Sequence, residues 1–221
     1  MHVPDGYLSP LTCVALFAIM VPVWGHAAKK TRETLSVRRI PQLAMGAAFS
    51  FLLMMFNIPI PGGTTGHAVG AALLAILLGP WPAVLALSVT LVVQALLFGD
   101  GGVTAIGANC FNMAFVMPLS AWGIFQLLKG NSLPGSRRSY FSAGAAGYFS
   151  LGLAALCAGI EFGIQPLIAS QGGHPSFCPF PLAVALPAML GEHLLLFGWV
   201  EAIATAAALR FLAQTREEIY A

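Results

Sequence analysis

Charge is scarce in this chain: ten basic and eight acidic residues stand among 221, or 8% of the total, beside 58% hydrophobic residues. Soluble domains carry about a quarter charged residues, so a water-soluble globular protein is excluded. Cysteine is sparse as well. Cys13, Cys110, Cys157 and Cys178 stand far apart with no C-x-x-C pair, which removes zinc-knuckle and dithiol chemistry and leaves them as packing residues. Signatures of catalysis are missing: there is no H-E-x-x-H, no G-x-S-x-G and no dinucleotide fingerprint. Residues 130–137 have the first glycine spacing of a Walker A loop without its Lys-Ser/Thr pair, so the chain is expected to be no enzyme and to hydrolyse no ATP itself. The period-2 alternation of an outer-membrane barrel is absent, as are a basic n-region and a small-residue cleavage site that would mark a removable signal. No long linker or internal repeat divides the chain, which predicts one membrane-embedded domain over residues 1–221.

What is abundant is apolar sequence. Hydrophobic stretches at residues 9–28, 41–57, 66–79, 83–98, 109–128, 141–169 and 181–209 predict an all-α integral membrane protein, a bundle of seven transmembrane helices. Most approach the roughly 20 residues that cross a hydrocarbon core; the third is short and the last two are long enough to tilt. The basic residues fall in three places: Lys29, Lys30, Arg32, Arg38 and Arg39; Lys129, Arg137 and Arg138; Arg210 and Arg216. With seven spans all three lie on one side, which the positive-inside rule makes cytoplasmic. The N-terminus is then outside and the C-terminus cytoplasmic, in a prokaryotic cytoplasmic membrane. The net charge of +2 reports this topology and not affinity for nucleic acid.

Met1-His2 has the makings of a metal chelate. A free α-amine, the deprotonated His2 amide and His2 Nδ1 close fused five- and six-membered rings, three nitrogens in one plane with a fourth position open. Methionine removal requires a small second residue, and His2 is large, so the amine is expected to persist. Nitrogen-only tetragonal geometry suits Ni(II) and Cu(II), not tetrahedral Zn(II) or the oxygen-binding Mg(II) and Ca(II). Taken alone, the dipeptide reads more simply as an exposed residue at a frayed terminus. His67 alters the balance. It follows the Pro- and Gly-rich stretch at residues 59–66, where the backbone is expected to be irregular, and stands twelve residues before Gly79, or ~18 Å above the cytoplasmic turn. In a core about 30 Å thick it is therefore buried on the outward side. Seven residues of extended chain reach ~23 Å, enough to carry Met1 to it. Either His67 is the fourth ligand, or it is a hydrogen-bonded structural imidazole; intramembrane ionisable groups are functional by default.

The segments Met1-His-Val-Pro-Asp-Gly-Tyr-Leu8, Pro61-Gly-Gly-Thr-Thr-Gly-His67 and Gly107-Ala-Asn-Cys-Phe-Asn-Met113 resemble the CbiM/NikM family along essentially the whole chain. Members are the substrate-binding membrane subunits of energy-coupling-factor (ECF) importers for nickel and cobalt. The resemblance implies that Met1, His2 and His67 hold Ni2+ or Co2+ as transported substrate, through the terminal amine, the second residue's amide and imidazole, and the histidine of the Gly-Thr-rich motif. Val3 replaces the commoner isoleucine, which touches no ligand. It also implies partners: a membrane coupling (T) subunit, two cytoplasmic ATPase subunits and sometimes a small accessory membrane subunit.

A metal-bound imidazole usually donates its other N–H to a fixed acceptor. Gln94, Asn109 and Asn112, then Thr64 and Asp100, are the candidates to orient the ligands; Asp100-Gly101-Gly102 also reads as a turn, and the asparagines as interhelical hydrogen bonds. Three rivals lie in the last hydrophobic segment. Counting from Arg210, His193 stands ~25 Å up, beside Glu192 near the outer boundary, and Glu201 ~13 Å up, near mid-depth. Glu201 supports an alternative function, a proton-coupled secondary metal transporter. His174 reads as an exposed loop residue. Small-residue surfaces at Ala44/Ala48 and Gly144/Tyr148 fit either docking or internal packing.

Overall fold

The computed structural model describes residues 1–60, 64–171 and 174–220; of Ile60, Thr64, Gln171 and residues 216–220 it describes the backbone alone. Each of the seven apolar segments is helical. Helix α1 (Pro10–Thr34) starts where Ser9 Oγ accepts the Thr12 amide and Pro10 enters the first turn, a place where a missing N–H is harmless. A 3₁₀ turn (Val37–Arg39) leads to α2 (Ile40–Met54). Strands β1 (Ile58–Ile60) and β2 (Thr64–Gly66) then pair antiparallel, with Ile58 opposite Gly66. This pairing replaces irregular backbone on both sides of Pro61, Gly62 and Gly63, which lie outside the described residues.

Helix α3 (Ala71–Leu78) is eight residues long, and Gly79 turns the chain into α4 (Pro80–Val93). Three helices change pitch along their length. Helix α4 continues as a π-helical stretch at Gln94–Phe98; α5 (Ile106–Asn109) and α6 (Met117–Lys129) are joined through one at Cys110–Val116; α9 (Leu182–Glu192) and α10 (Gly198–Tyr220) through one at His193–Phe197. Between them run α7 (Arg137–Gly163), α8 (Gln165–Ile168) and two short strands, β3 (Ser170–Gln171) and β4 (His174–Pro175). Such widened turns concentrate at functional sites, and these begin at or just after Gln94, Asn109 and Glu192.

Among the described residues, five helices are long and apolar enough to cross a membrane: Pro10–Thr34, Pro80–Phe98, Ile106–Lys129, Arg137–Ile168 and Leu182–Thr215. Helices α2 and α3, at 15 and 8 residues, fall short of the roughly 20 required, so the expected seven spans become five by length. Leu11, Phe141, Leu195 and Phe211 lie on the outside, an apolar exterior that calls for hydrocarbon and not water. Helix α7 lies at the centre. A methyl on Gly147 would sit 3.1 Å from Glu201 O, and one on Gly144 3.4 Å from Ala202 O, so the Gly144 face is consumed by packing against α10, while Ala44 and Ala48 are exposed. All four cysteines are unpaired thiols, and His26 packs on Trp81 with ring centroids 4.4 Å apart.

Candidate metal centre

The first residues run inward instead of fraying. Met1 and Val3 are 0% exposed and His2 4%, so their main-chain groups need partners within the protein. Asn109 supplies two: its Oδ1 accepts the Val3 amide at 2.7 Å and its Nδ2 donates to Val3 O at 3.1 Å. The Gly102 amide donates to the same carbonyl at 2.8 Å. Further along, the Asp5 carboxylate accepts from the Val103 and Thr104 amides and the Thr104 hydroxyl. Cys178 N donates to Tyr7 O and Ser9 N to Gln165 Oε1. The 99–104 loop is shaped for this guest: a Cβ on Gly102 would lie 2.5 Å from Asp5 N, and Gly101, at φ 87°, would bring one to 3.1 Å from the His2 ring.

This path brings His2 face to face with His67, ring centroids 4.6 Å apart and planes 30° from parallel. Gln94 Oε1 lies 3.3 Å from His2 Nε2. An amide oxygen only accepts, so it selects the tautomer protonated at Nε2 and leaves Nδ1 a lone pair. Asp100 Oδ1 stands 3.5 Å from that Nδ1. His67 uses its other nitrogen: Nδ1–H donates to Ala68 O at 3.1 Å, and Nε2, fully buried, has no hydrogen-bond partner. The Met1 amine lies 3.5 Å from Thr65 Oγ1. Burial holds this amine down to about 4, against the pull of the Asp100 and Glu192 carboxylates. His2 is held to about 3, by burial first, then by the amine, with the Gln94 contact opposing. Asp100 is pushed up by burial, with the amine and Asn57 opposing. Both nitrogen bases therefore carry lone pairs at neutral pH, as metal ligands must.

The structure thus brings Met1, His2, His67, Gln94, Asn109 and Asp100 to one place. Asn112 is engaged elsewhere, its Nδ2 donating to Glu161 Oε2 at 2.9 Å, and the Thr64 side chain lies outside the described residues; its neighbour Thr65 meets the amine. His193 is 0% exposed, with Nδ1 bonded to Met189 O at 2.7 Å. Glu192 lies against β2, its Oε1 2.8 Å from where a Cβ on Gly66 would be. Glu201, fully buried, accepts the Val69 amide at 2.7 Å and the Gly70 amide at 2.9 Å through Oε2. His174 is exposed. Sequence reasoning passed over Asp5, Gln165 and Glu161; the last had a readable signal, an acid inside an apolar stretch. Among the described residues no three His, Cys, Asp or Glu side chains form a metal cluster. A site built from an amine, a main-chain nitrogen and two imidazoles presents only two such side chains.

The chain is similar to known transport proteins. Residues 2–219 match the family model CbiM, described as the cobalt uptake substrate-specific transmembrane region. The chain is 50% identical to the fused nickel transport protein NikMN of Rhodobacter capsulatus, over 100% of its own length and 64% of that protein. It is 48% identical to the probable fused nickel transport protein LarMN of Lactiplantibacillus plantarum, over 96% of its own length and again 64% of the relative, so it spans about two thirds of either. A crystal structure of a truncated transition metal transporter superposes with a TM-score of 0.93 at 47% identity, covering 97% of this chain and 99% of that one.

Proposed function

The chain belongs to the CbiM family of cobalt uptake substrate-specific transmembrane proteins, and on that footing we propose that it captures a divalent transition-metal ion, nickel first and cobalt second, at the outer side of the cytoplasmic membrane. One observation carries the proposal: the stacked pair His2 and His67 beside the buried Met1 amine, each ring with one nitrogen committed to a fixed acceptor. The amine, the His2 amide nitrogen, His2 Nδ1 and His67 Nε2 then replace the ion's water with a square of four nitrogens. Low-spin square-planar coordination favours nickel; copper(II) would bind more tightly by the general affinity order, so discrimination against it rests on availability or release.

Delivery inward follows the ECF scheme, in which a membrane coupling subunit and two cytoplasmic ATPase subunits supply the work and a small accessory membrane subunit completes some assemblies. The basic loops orient Met1 outward and the C-terminus inward, with α3 buried among the five longer helices and α2 on their periphery. Isothermal titration of nickel into the purified protein, His2→Ala and His67→Ala tests the site: binding should be lost in the first variant and weakened by orders of magnitude in the second, and unaltered binding in both refutes it. Proton-coupled transport through Glu201 is the other reading. Its carboxylate is already occupied by two backbone amides, which speaks against a proton carrier. Metal uptake that persists without any ATPase and collapses in Glu201→Gln would favour it.

A further inference from the structure

His67 lies in a short connection with nothing regular on its inner side: β2 ends at Gly66 and α3 begins at Ala71. Four residues outside helix and strand would let the imidazole wander, yet three groups from one helix hold this connection. The Phe197 ring would be 2.2 Å from a Cβ on Gly66, and Glu192 Oε1 2.8 Å from it, so both press directly on the residue before His67. On the other side, Glu201 Oε2 accepts the amides of Val69 and Gly70. Gly70 takes φ 77°, a left-handed turn that points successive amides the same way and suits a single anion. The carboxylate also faces the positive end of α3. The Ala72 amide, in the first turn of α3, also acts on this carboxylate, which is retained in apolar surroundings at a cost that packing alone does not explain.

We infer that Glu201 is a positioning residue for metal binding, which fixes the height and direction of His67 and ties that ligand to the last membrane helix. The inference rests on His67 being a ligand. Glu201 touches no ion; it acts through two main-chain bonds, two and three residues beyond the imidazole. Helix α7 abuts Glu201 at Gly147, which holds the carboxylate in place.

Copper(II) bound to the purified protein in detergent gives the readout, since nitrogen hyperfine splitting in its electron paramagnetic resonance spectrum counts the coordinated nitrogens. Four are expected in the unmodified protein and three in His67→Ala; if His67→Ala still shows four, the reading of the site itself fails. Given that control, Glu201→Ala should show three nitrogens and copper affinity lower by about 10–100-fold, the range for outer groups that orient ligands. Glu201→Gln, whose amide oxygen accepts both bonds, should return to four. A four-nitrogen spectrum in Glu201→Ala, with or without weaker binding, overturns the inference, as does a Gln variant that behaves like Ala. Should Glu201→Ala not fold, hydrogen exchange on the unmodified protein decides: the Val69 and Gly70 amides should exchange as slowly as those of α3, and fast exchange refutes the inference.

Discussion

The buried Met1 amine has consequences that proton counting can check. Ordinary at 8.0 when exposed, it is held to about 4 in place, so between these values the undocked segment binds more protons than the docked one and docking weakens steadily as pH falls. At neutral pH the docked amine is already a neutral base. Metal binding should then release about one proton per ion, from the His2 amide, and not two; titration in two buffers of different ionisation enthalpy measures this, and two protons per ion would contradict it. Gln94→Ala removes the acceptor that sets the His2 tautomer and should lower nickel affinity about 10–100-fold. Asn112→Ala, its side chain bonded to Glu161, should leave affinity unchanged. Gln94 stands twelve residues up α4 from Pro82, near the height of His67, and helical rise is regular enough for that count to be read from the sequence. The same regularity does not separate Asn109 from Asn112, because Asn112 lies inside the π-helical stretch Cys110–Val116, where side chains depart from the angular positions of an α-helix.

Among the elements, the N-terminal segment and the 99–104 loop behave as guest and host. A methyl on Gly102 would meet Asp5 N at 2.5 Å, so Gly102→Ala should push the segment outward and weaken nickel binding while leaving the helical circular dichroism unchanged. An unchanged affinity would show that the loop yields. The apolar runs made every long helix legible, since helices that face lipid need little more than length and hydrophobicity. The strand pairing before His67 was hidden, because a stretch rich in proline and glycine reads as irregular chain. The inward path of residues 1–9 was visible only as reach: Asn109, Asp5 and Gln165 create it through contacts 98 to 156 residues apart in the chain, which no local pattern encodes.

For the whole molecule, the ion should act as a clasp between the chain's first residues and the loop before α3. A ligand that binds only the folded form stabilises it by about 2.7 kcal/mol at a hundredfold excess over Kd, so nickel should raise the thermal midpoint of the intact protein and do so far less in His67→Ala. The central claim is that the first nitrogen of the chain is itself a ligand, and one added residue ahead of Met1 tests it most directly. Met1 is wholly buried, so the extension has no room, and it also converts the coordinating amine into an amide and shifts the histidine to third place. Nickel titration of the extended protein should show a changed affinity and a changed ligand-field spectrum with every side chain retained. The same affinity and the same spectrum would contradict the account.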